Sequence, residues 1–431
     1  MNAARSMMGF PSEAVADTQM AWAEALGADQ GSTGGRILYI HMPFCRSRCT
    51  FCPFYYGSAN DQERNEYVKV LANELSQWGQ EFQSAPVNSI YFGGGTPSDM
   101  TPDEIALLLR TLHRHFKLSS DCEITLESRI DGLDDAKISA AVDNGVNRFS
   151  LGVQTFDTTL RRKLGRTSAR KTVLETLSRL TSCNHASVTA DIIYGLPGQT
   201  AAMLLNDLET MLNDTALSGF SFYRMHLHER LELARAIKAD KMPELPDDET
   251  CFELFKLCEE RMSAAGAKRI SFKHFSFHPR ERNLHNEISA WKVPCLPFGM
   301  NAGGRLGKFK FKQSGNFKDY KSMIESGCKP LASAGVFPAD FPLAAKISGQ
   351  LNCRMNLNLE LCIPAAPRQI RERVRAELES ALEQLEREGY FYAESYNSRL
   401  LTARGRFDCA KVASSLMTTA AKVYYQEKII S

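Results

Sequence analysis

The chain has 431 residues, 43% of them apolar and 24% charged, so it is long enough to bury a large core and too apolar to be disordered or fibrous. Its 52 basic and 50 acidic residues leave a formal net charge of +2, which gives no overall electrostatic footprint for a nucleic acid partner. No apolar run approaches the roughly 20 residues of a membrane helix, and residues 1–17 have neither a basic n-region nor an apolar segment, so a cytoplasmic location with no membrane partner is expected.

Residues 1–35, rich in Ala, Gly and Ser, read as an N-terminal extension of one or two short helices that ends in the linker Gly31-Ser32-Thr33-Gly34-Gly35. From Arg36 onward, short β-branched or aromatic runs alternate with amphipathic stretches. Strands are expected at 37–41, 89–92, 123–126, 148–153, 187–194 and 219–226, and helices at 61–82, 101–116, 134–144, 169–181 and 201–214. Six such repeats predict an α/β fold over 36–330, with parallel strands closed or partly closed into a barrel and a site at their C-terminal ends. Beyond about residue 235 the alternation loosens into a helix at 248–265 and strand-like pieces at 269–275 and 307–312. The prolines of 328–342 suggest a linker into a smaller C-terminal α+β domain at 331–431. There a helix at 367–388 precedes strand-like 389–392 and 400–402, a winged-helix-like layout. Glu377, Glu379, Glu383, Glu386 and Glu388 on that helix favour a packing or lid module over a nucleic-acid reader.

The chain has 12 cysteines, and a cytosolic protein of this size does not need disulfides. Three stand in one loop behind the first strand, Cys45-Arg46-Ser47-Arg48-Cys49-Thr50-Phe51-Cys52. C-x3-C-x2-C can wrap one face of a cubane iron–sulfur cluster while leaving its fourth iron open for reaction. Zinc is the rival, but a structural zinc wants four ligands and no nearby Cys or His completes the set. The other nine cysteines show no second pattern of this kind and read as small buried hydrophobes.

Such a loop behind the first strand of a β/α barrel resembles the radical SAM superfamily. The resemblance covers roughly 36–330 and rests on Tyr39-x-His41-x-Pro43-Phe44-Cys45, Gly93-Gly94-Gly95-Thr96-Pro97, Leu151-Gly152-Val153-Gln154-x-Phe156, Leu164-Gly165-Arg166 and the run from Asp191 through Tyr194-Gly195-Leu196-Pro197-Gly198-Gln199-Thr200. This ordered set is similar to the HemN/HemW-like branch. Cys49-Thr50-Phe51-Cys52 followed by Phe54-Tyr55, the segment from Ile124 to Ile130, Asn147-Arg148-Phe149-Ser150, and Phe298-Gly299-x-x-Ala302-Gly303-Gly304-Arg305-x-Gly307 look most like the ChuW/HutW family of anaerobic haem-degrading methyltransferases.

The resemblance implies a partial (β/α)6 TIM-like radical SAM barrel, a [4Fe-4S] cluster and S-adenosylmethionine (SAM), two molecules in this branch. It places the cluster on Cys45, Cys49 and Cys52. It places the first SAM near Tyr39, Phe51, Gly94 and Glu127, and the second near Gly95, Thr96, Gln154, Arg166 and Asp191. No catalytic residue is assigned. The implied chemistry is one-electron cleavage of SAM to a 5′-deoxyadenosyl radical, which acts on the methyl group of the second SAM. The resulting carbon radical adds to haem, and the ring opens to a linear tetrapyrrole with release of iron. Haem or a related tetrapyrrole and an electron donor such as flavodoxin or a flavin reductase are the implied partners. Oxidative decarboxylation of coproporphyrinogen and haem carriage without turnover stay open as alternatives. Two features bear on such a substrate. His226 and His228, expected at the end of the sixth strand, share a face and are candidate axial ligands, or plain surface histidines. Lys308, Lys310 and Lys312 alternate with Phe309 and Phe311, and with Arg305 they offer a basic strand for propionates, or the solvated face of an edge strand.

Overall fold

A computed structural model describes residues 12–30, 34–363, 368–392 and 398–428, without the side chains beyond Val423. All six expected strands are present: β2 (Arg36–Met42), β3 (Val87–Gly94), β4 (Leu118–Ser128), β5 (Arg148–Gln154), β6 (Ser187–Tyr194) and β7 (Gly219–Arg224). They pair in parallel in chain order. The intervening helices begin where side chains cap them. Thr101 and Glu104, for example, form a reciprocal capping box ahead of Pro102–His115.

Each strand alternates with period two, but the usual polarity of a barrel is reversed. Ile90 and Phe92, Ile124 and Leu126, Phe149 and Leu151, and Val188 and Ala190 belong to the main apolar cluster, together with the helices. The intervening residues form a polar inner face: Tyr39, Tyr91, Glu127, Gly152, Asp191 and Tyr223, one from each strand, are only half-buried. A packed barrel would fill this space with aliphatic layers. Here the interior is left for polar contacts.

The sheet extends beyond the six-strand core on both sides. After β7, β8 (Lys268–Ser271) and β9 (His274–Ser276) form a hairpin in place of the single strand expected at 269–275. On the other side β10 (Cys295–Phe298) pairs in parallel with β2, and β11 (Gly303–Leu306), β12 (Phe309–Gln313) and β13 (Leu331–Val336) continue as a meander. The thirteen-stranded sheet keeps two edges, so the barrel is partial. A buried cluster ties the meander to the helix Asp61–Gly79: the Lys329 ammonium donates to Glu74 (2.7 Å), the Tyr320 hydroxyl to Glu74 (2.6 Å) and the Gly299 N–H to Glu74 (2.9 Å).

The N-terminal stretch is an integral part of this layer. β1 (Glu13–Val15) pairs with β13, and the helix Thr18–Asp29 inserts Trp22 edge-on against Trp78, Phe82 and Phe311. Residues 31–33 of the expected linker lie outside the described residues. The proline-rich stretch contains β13, so the second core begins at Phe341–Gly349 rather than at 331. That unit packs Arg368–Arg387 and Cys409–Lys428 over a small sheet of β14 (Asn356–Asn358), β15 (Phe391–Tyr392) and β16 (Ser398–Leu401). It docks on the barrel through Arg406, whose guanidinium donates twice to Glu259 (2.8 and 2.7 Å). None of the described helices is long and apolar enough to cross a membrane.

Candidate active site

The loop after β2 carries the three spaced thiols and is fastened on several sides. The Cys45 N–H donates to the Gly57 carbonyl (3.0 Å), the Thr50 N–H to Leu164 (3.2 Å), and the Leu233 N–H to the Thr50 carbonyl (2.9 Å). Cys45 and Cys49 are buried and Cys52 half-buried. The Thr96 hydroxyl donates to Cys45 Sγ (3.3 Å), and the Arg129 guanidinium to Cys49 Sγ (3.6 Å) and the Ser47 carbonyl (2.9 Å). Burial pushes the Cys45 and Cys52 thiols up. Among the described residues no three Cys, His, Asp or Glu side chains stand together as a single ion requires, these three thiols included. Three thiols spread along one loop, with hydrogen-bond donors on two of the sulfurs, fit a cubane that takes one thiolate on each of three irons.

Glycines set the loop against β3. Gly94 has a left-handed φ of 109°, and a Cβ there would strike the His41 ring at 2.5 Å. A Cβ on Gly95 would collide with the Phe44 carbonyl. The N–H groups of Gly95 and Thr96 donate to the carbonyls of Met42 (2.6 Å) and Phe44 (2.8 Å), so these two donors are already committed within the protein. Gly165 performs the same service on the far side, where a Cβ would meet the Arg48 carbonyl at 3.0 Å. Phe51 packs with Leu160, Leu164, Ile193, Leu196 and Met225, and the Arg166 guanidinium lies 5.8 Å from its ring centre.

On the inner face the Tyr91 hydroxyl donates to Glu127 (2.6 Å), and the Gly94 N–H donates to its other oxygen (3.2 Å). Burial pushes the Glu127 carboxyl up to about 7, with Asp191 adding to the rise. Asp191 accepts from the Ser150 hydroxyl (3.4 Å), and burial lifts it to about 6 against the pull of Arg148. Tyr39 shares a 3.1 Å hydrogen bond with His41 Nδ1, and burial keeps that imidazole neutral, lowering it to about 4. Next to Gly152, Gln154 and Arg166 converge: a Cβ on that glycine would sit 2.9 Å from Gln154 Nε2 and 3.2 Å from Arg166 Nη2. Gln154 itself adopts a left-handed φ of 70°. Both side chains are buried, yet Gln154 Oε1, Arg166 Nε and His41 Nε2 have no hydrogen-bond partner among the described residues. Gln154 and Arg166 stand side by side, and a polar ligand between them would satisfy both.

The structure thus gathers Tyr39, Glu127, Gln154 and Asp191 on the barrel's inner face, with Arg166 beside Gln154, and sets Gly94, Gly95, Thr96 and Phe51 around the thiol loop. Two expectations fail. β7 stops at Arg224: the Met225 N–H still makes the last bond of the β6–β7 ladder, to the Tyr194 carbonyl (2.9 Å), the Met225 side chain packs beside Phe51, and the chain beyond it leaves the sheet. His226 and His228 are therefore exposed on a loop rather than aligned on a strand. β12 is paired on both sides, so it is no edge strand; Phe309 and Phe311 are core residues and Lys308 bridges to Glu24 at 2.6 Å. Arg305 donates to the Ser289 carbonyl (3.1 Å) instead of facing solvent with the lysines. Three further residues of the site had no role assigned from the sequence: Tyr91 and Tyr223, whose signal is their place on the polar side of alternating strands, and Arg129, which only the fold brings to Cys49.

The family model for the Radical SAM superfamily matches residues 39–211. The chain is 34% identical over 332 residues to anaerobilin synthase of Escherichia coli O157:H7, covering 76% of this chain and 74% of that one. It is 28% identical over 288 residues to the heme chaperone HemW of Bacillus subtilis (strain 168), covering 66% and 75%. Among solved structures, coproporphyrinogen III oxidase (HemN) from Escherichia coli, a radical SAM enzyme, superposes with a TM-score of 0.80 at 20% identity over 96% of this chain and 98% of that one.

Proposed function

From the premise that this chain belongs to the radical SAM superfamily, in its HemN/HemW-like branch, whose cofactors are a [4Fe-4S] cluster and SAM, we propose that it is a methyltransferase that opens haem to a linear tetrapyrrole and releases the iron. The observation that carries this reading is the 34% identity to anaerobilin synthase across three quarters of both chains. Cys45, Cys49 and Cys52 hold the cluster, and Arg129 and Thr96 donate to its ligand sulfurs. When bound, cluster and SAM supply a carbon-centred radical. Tyr39, Phe51, Gly94 and Glu127 position the SAM on the open iron. Gln154, Arg166 and Asp191 offer a second polar station whose orphaned atoms suit a second SAM, with Gly95 and Thr96 acting through their hold on the thiol loop. Tyr91 locks Glu127 in place, and a carboxyl titrating near neutrality can hold or release a proton at the inner face. Residues 36–340 form the catalytic body and the second core closes its flank. A flavodoxin-type donor supplies electrons.

Anaerobically reconstituted protein given haem, reductant and methyl-labelled SAM should bleach the Soret band and yield a labelled open-chain tetrapyrrole by mass spectrometry. Intact haem after SAM cleavage would remove this reading. Conversion of coproporphyrinogen to vinyl products would replace it with decarboxylation.

A further inference from the structure

Resting on the reading of a haem substrate, we propose that a cavity on the barrel's flank binds one carboxylate-bearing arm of the tetrapyrrole, with Lys273 as its counter-ion. The cavity, about 250 Å³, lies where the β8–β9 turn and the helix Leu284–Ala290 meet Asn352, Cys353 and Ala413 of the second unit. That volume falls below the roughly 300–1,000 Å³ of sites that take a whole ligand, so it accommodates an arm while the ring lies in the barrel.

Lys273 stands at the junction of these two spaces. Its carbonyl accepts the Phe222 N–H (2.7 Å), which sets it beside β7, and its ammonium lies 5.0 Å from the centre of the Tyr223 ring on the polar inner face. Among the described residues no carboxylate is in ion-pair contact with it, and Asp191 acts on it only through space. Burial lowers its pKa, the cost of a cation without a partner. Ser271 Oγ is buried in the lining with no partner among the described residues, and Glu287 is the carboxylate of the same lining, so Lys273 is what draws an anion into the cavity. A propionate matches it in charge, size and attachment.

Haem and haem dimethyl ester separate this from general apolar binding, since only the ester lacks the anions. In anaerobic Soret titrations Lys273→Met should weaken haem binding about tenfold or more while leaving the ester's affinity unchanged. Lys273→Arg should recover most of the loss. Retained cluster absorbance and SAM affinity identify the Met variant as folded. Equal haem affinity in wild type and Lys273→Met, or an equal loss for acid and ester, overturns the pocket while bleaching by the wild type still upholds the haem reading. A wild type that binds no haem overturns both.

Discussion

At the scale of single residues, the inner face carries carboxyls whose protonation is set by burial. Glu127 stands at about 7 and Asp191 at about 6, each raised first of all by desolvation. The folded protein therefore keeps protons that the unfolded chain has lost. Their contribution to stability falls as pH rises from the ordinary carboxylate range through these values, because the native state binds their protons more tightly. Asp191→Asn removes one such group. Its melting temperature relative to that of the wild type should therefore rise by a few degrees between about pH 4 and 6.5. Thermal melts across that range test this, and parallel profiles would contradict it. Arg129 shows why some site residues escape a sequence reading: nothing in its neighbours distinguishes an arginine that reaches Cys49 from one that faces water. Only the fold brings the two together, across 80 positions of chain.

Among elements, the tightest junction is that between β3 and the thiol loop. A methyl group on Gly95 would be forced into the Phe44 backbone, which cannot yield without shifting Cys45. Gly95→Ala should therefore lose most of its bound iron and cluster absorbance after reconstitution. Gly303→Ala, whose Cβ meets only the Phe311 carbonyl at 3.9 Å, should keep both. Iron content of the two purified variants decides the matter; full loading of Gly95→Ala would show that the loop adapts. The six core strands and their helices were legible because each alternates over five or more residues and is bounded by turn signals. Of the meander, only the strand-like piece at 307–312 was, and it is β12. Cys295–Phe298 is a four-residue apolar run with two turn-prone neighbours, and the β12 pattern of alternating Lys and Phe is the same for an edge strand as for an interior strand of a sheet with one solvated face. The His226-x-His228 spacing suggested a strand end because period two is also what a loop can show by chance.

The molecule's two largest cores are joined by charged and aromatic contacts, Arg406 with Glu259 and Phe407 with Phe252 and Phe255, and the N-terminal segment is built into the larger one. Trp22 is 2% exposed and touches three other aromatic rings, Trp78 of Asp61–Gly79, Phe82 just beyond that helix and Phe311 of β12. Trp22→Ala should cost about 3–5 kcal/mol by cavity formation and lower the melting temperature accordingly. A melt like that of the wild type would mean that the segment is an appendage. The helix was legible in the sequence and its burial was not, because Ala, Gly and Ser content does not say what a helix packs against.

The reversed polarity of the sheet carries a wider consequence. Stability is written on the outward face of each strand, where Ile, Leu, Val and Phe meet the helices, and chemistry on the inward face, where almost nothing apolar is needed to hold the fold. A substitution at a half-buried inner position therefore changes what the cavity recognises more than it loosens the shell, whereas the buried Arg148–Glu281 pair, which also lies inside, belongs to the structure as much as the outward core does. One framework can in this way change what it recognises in small steps while its outer layer keeps the fold.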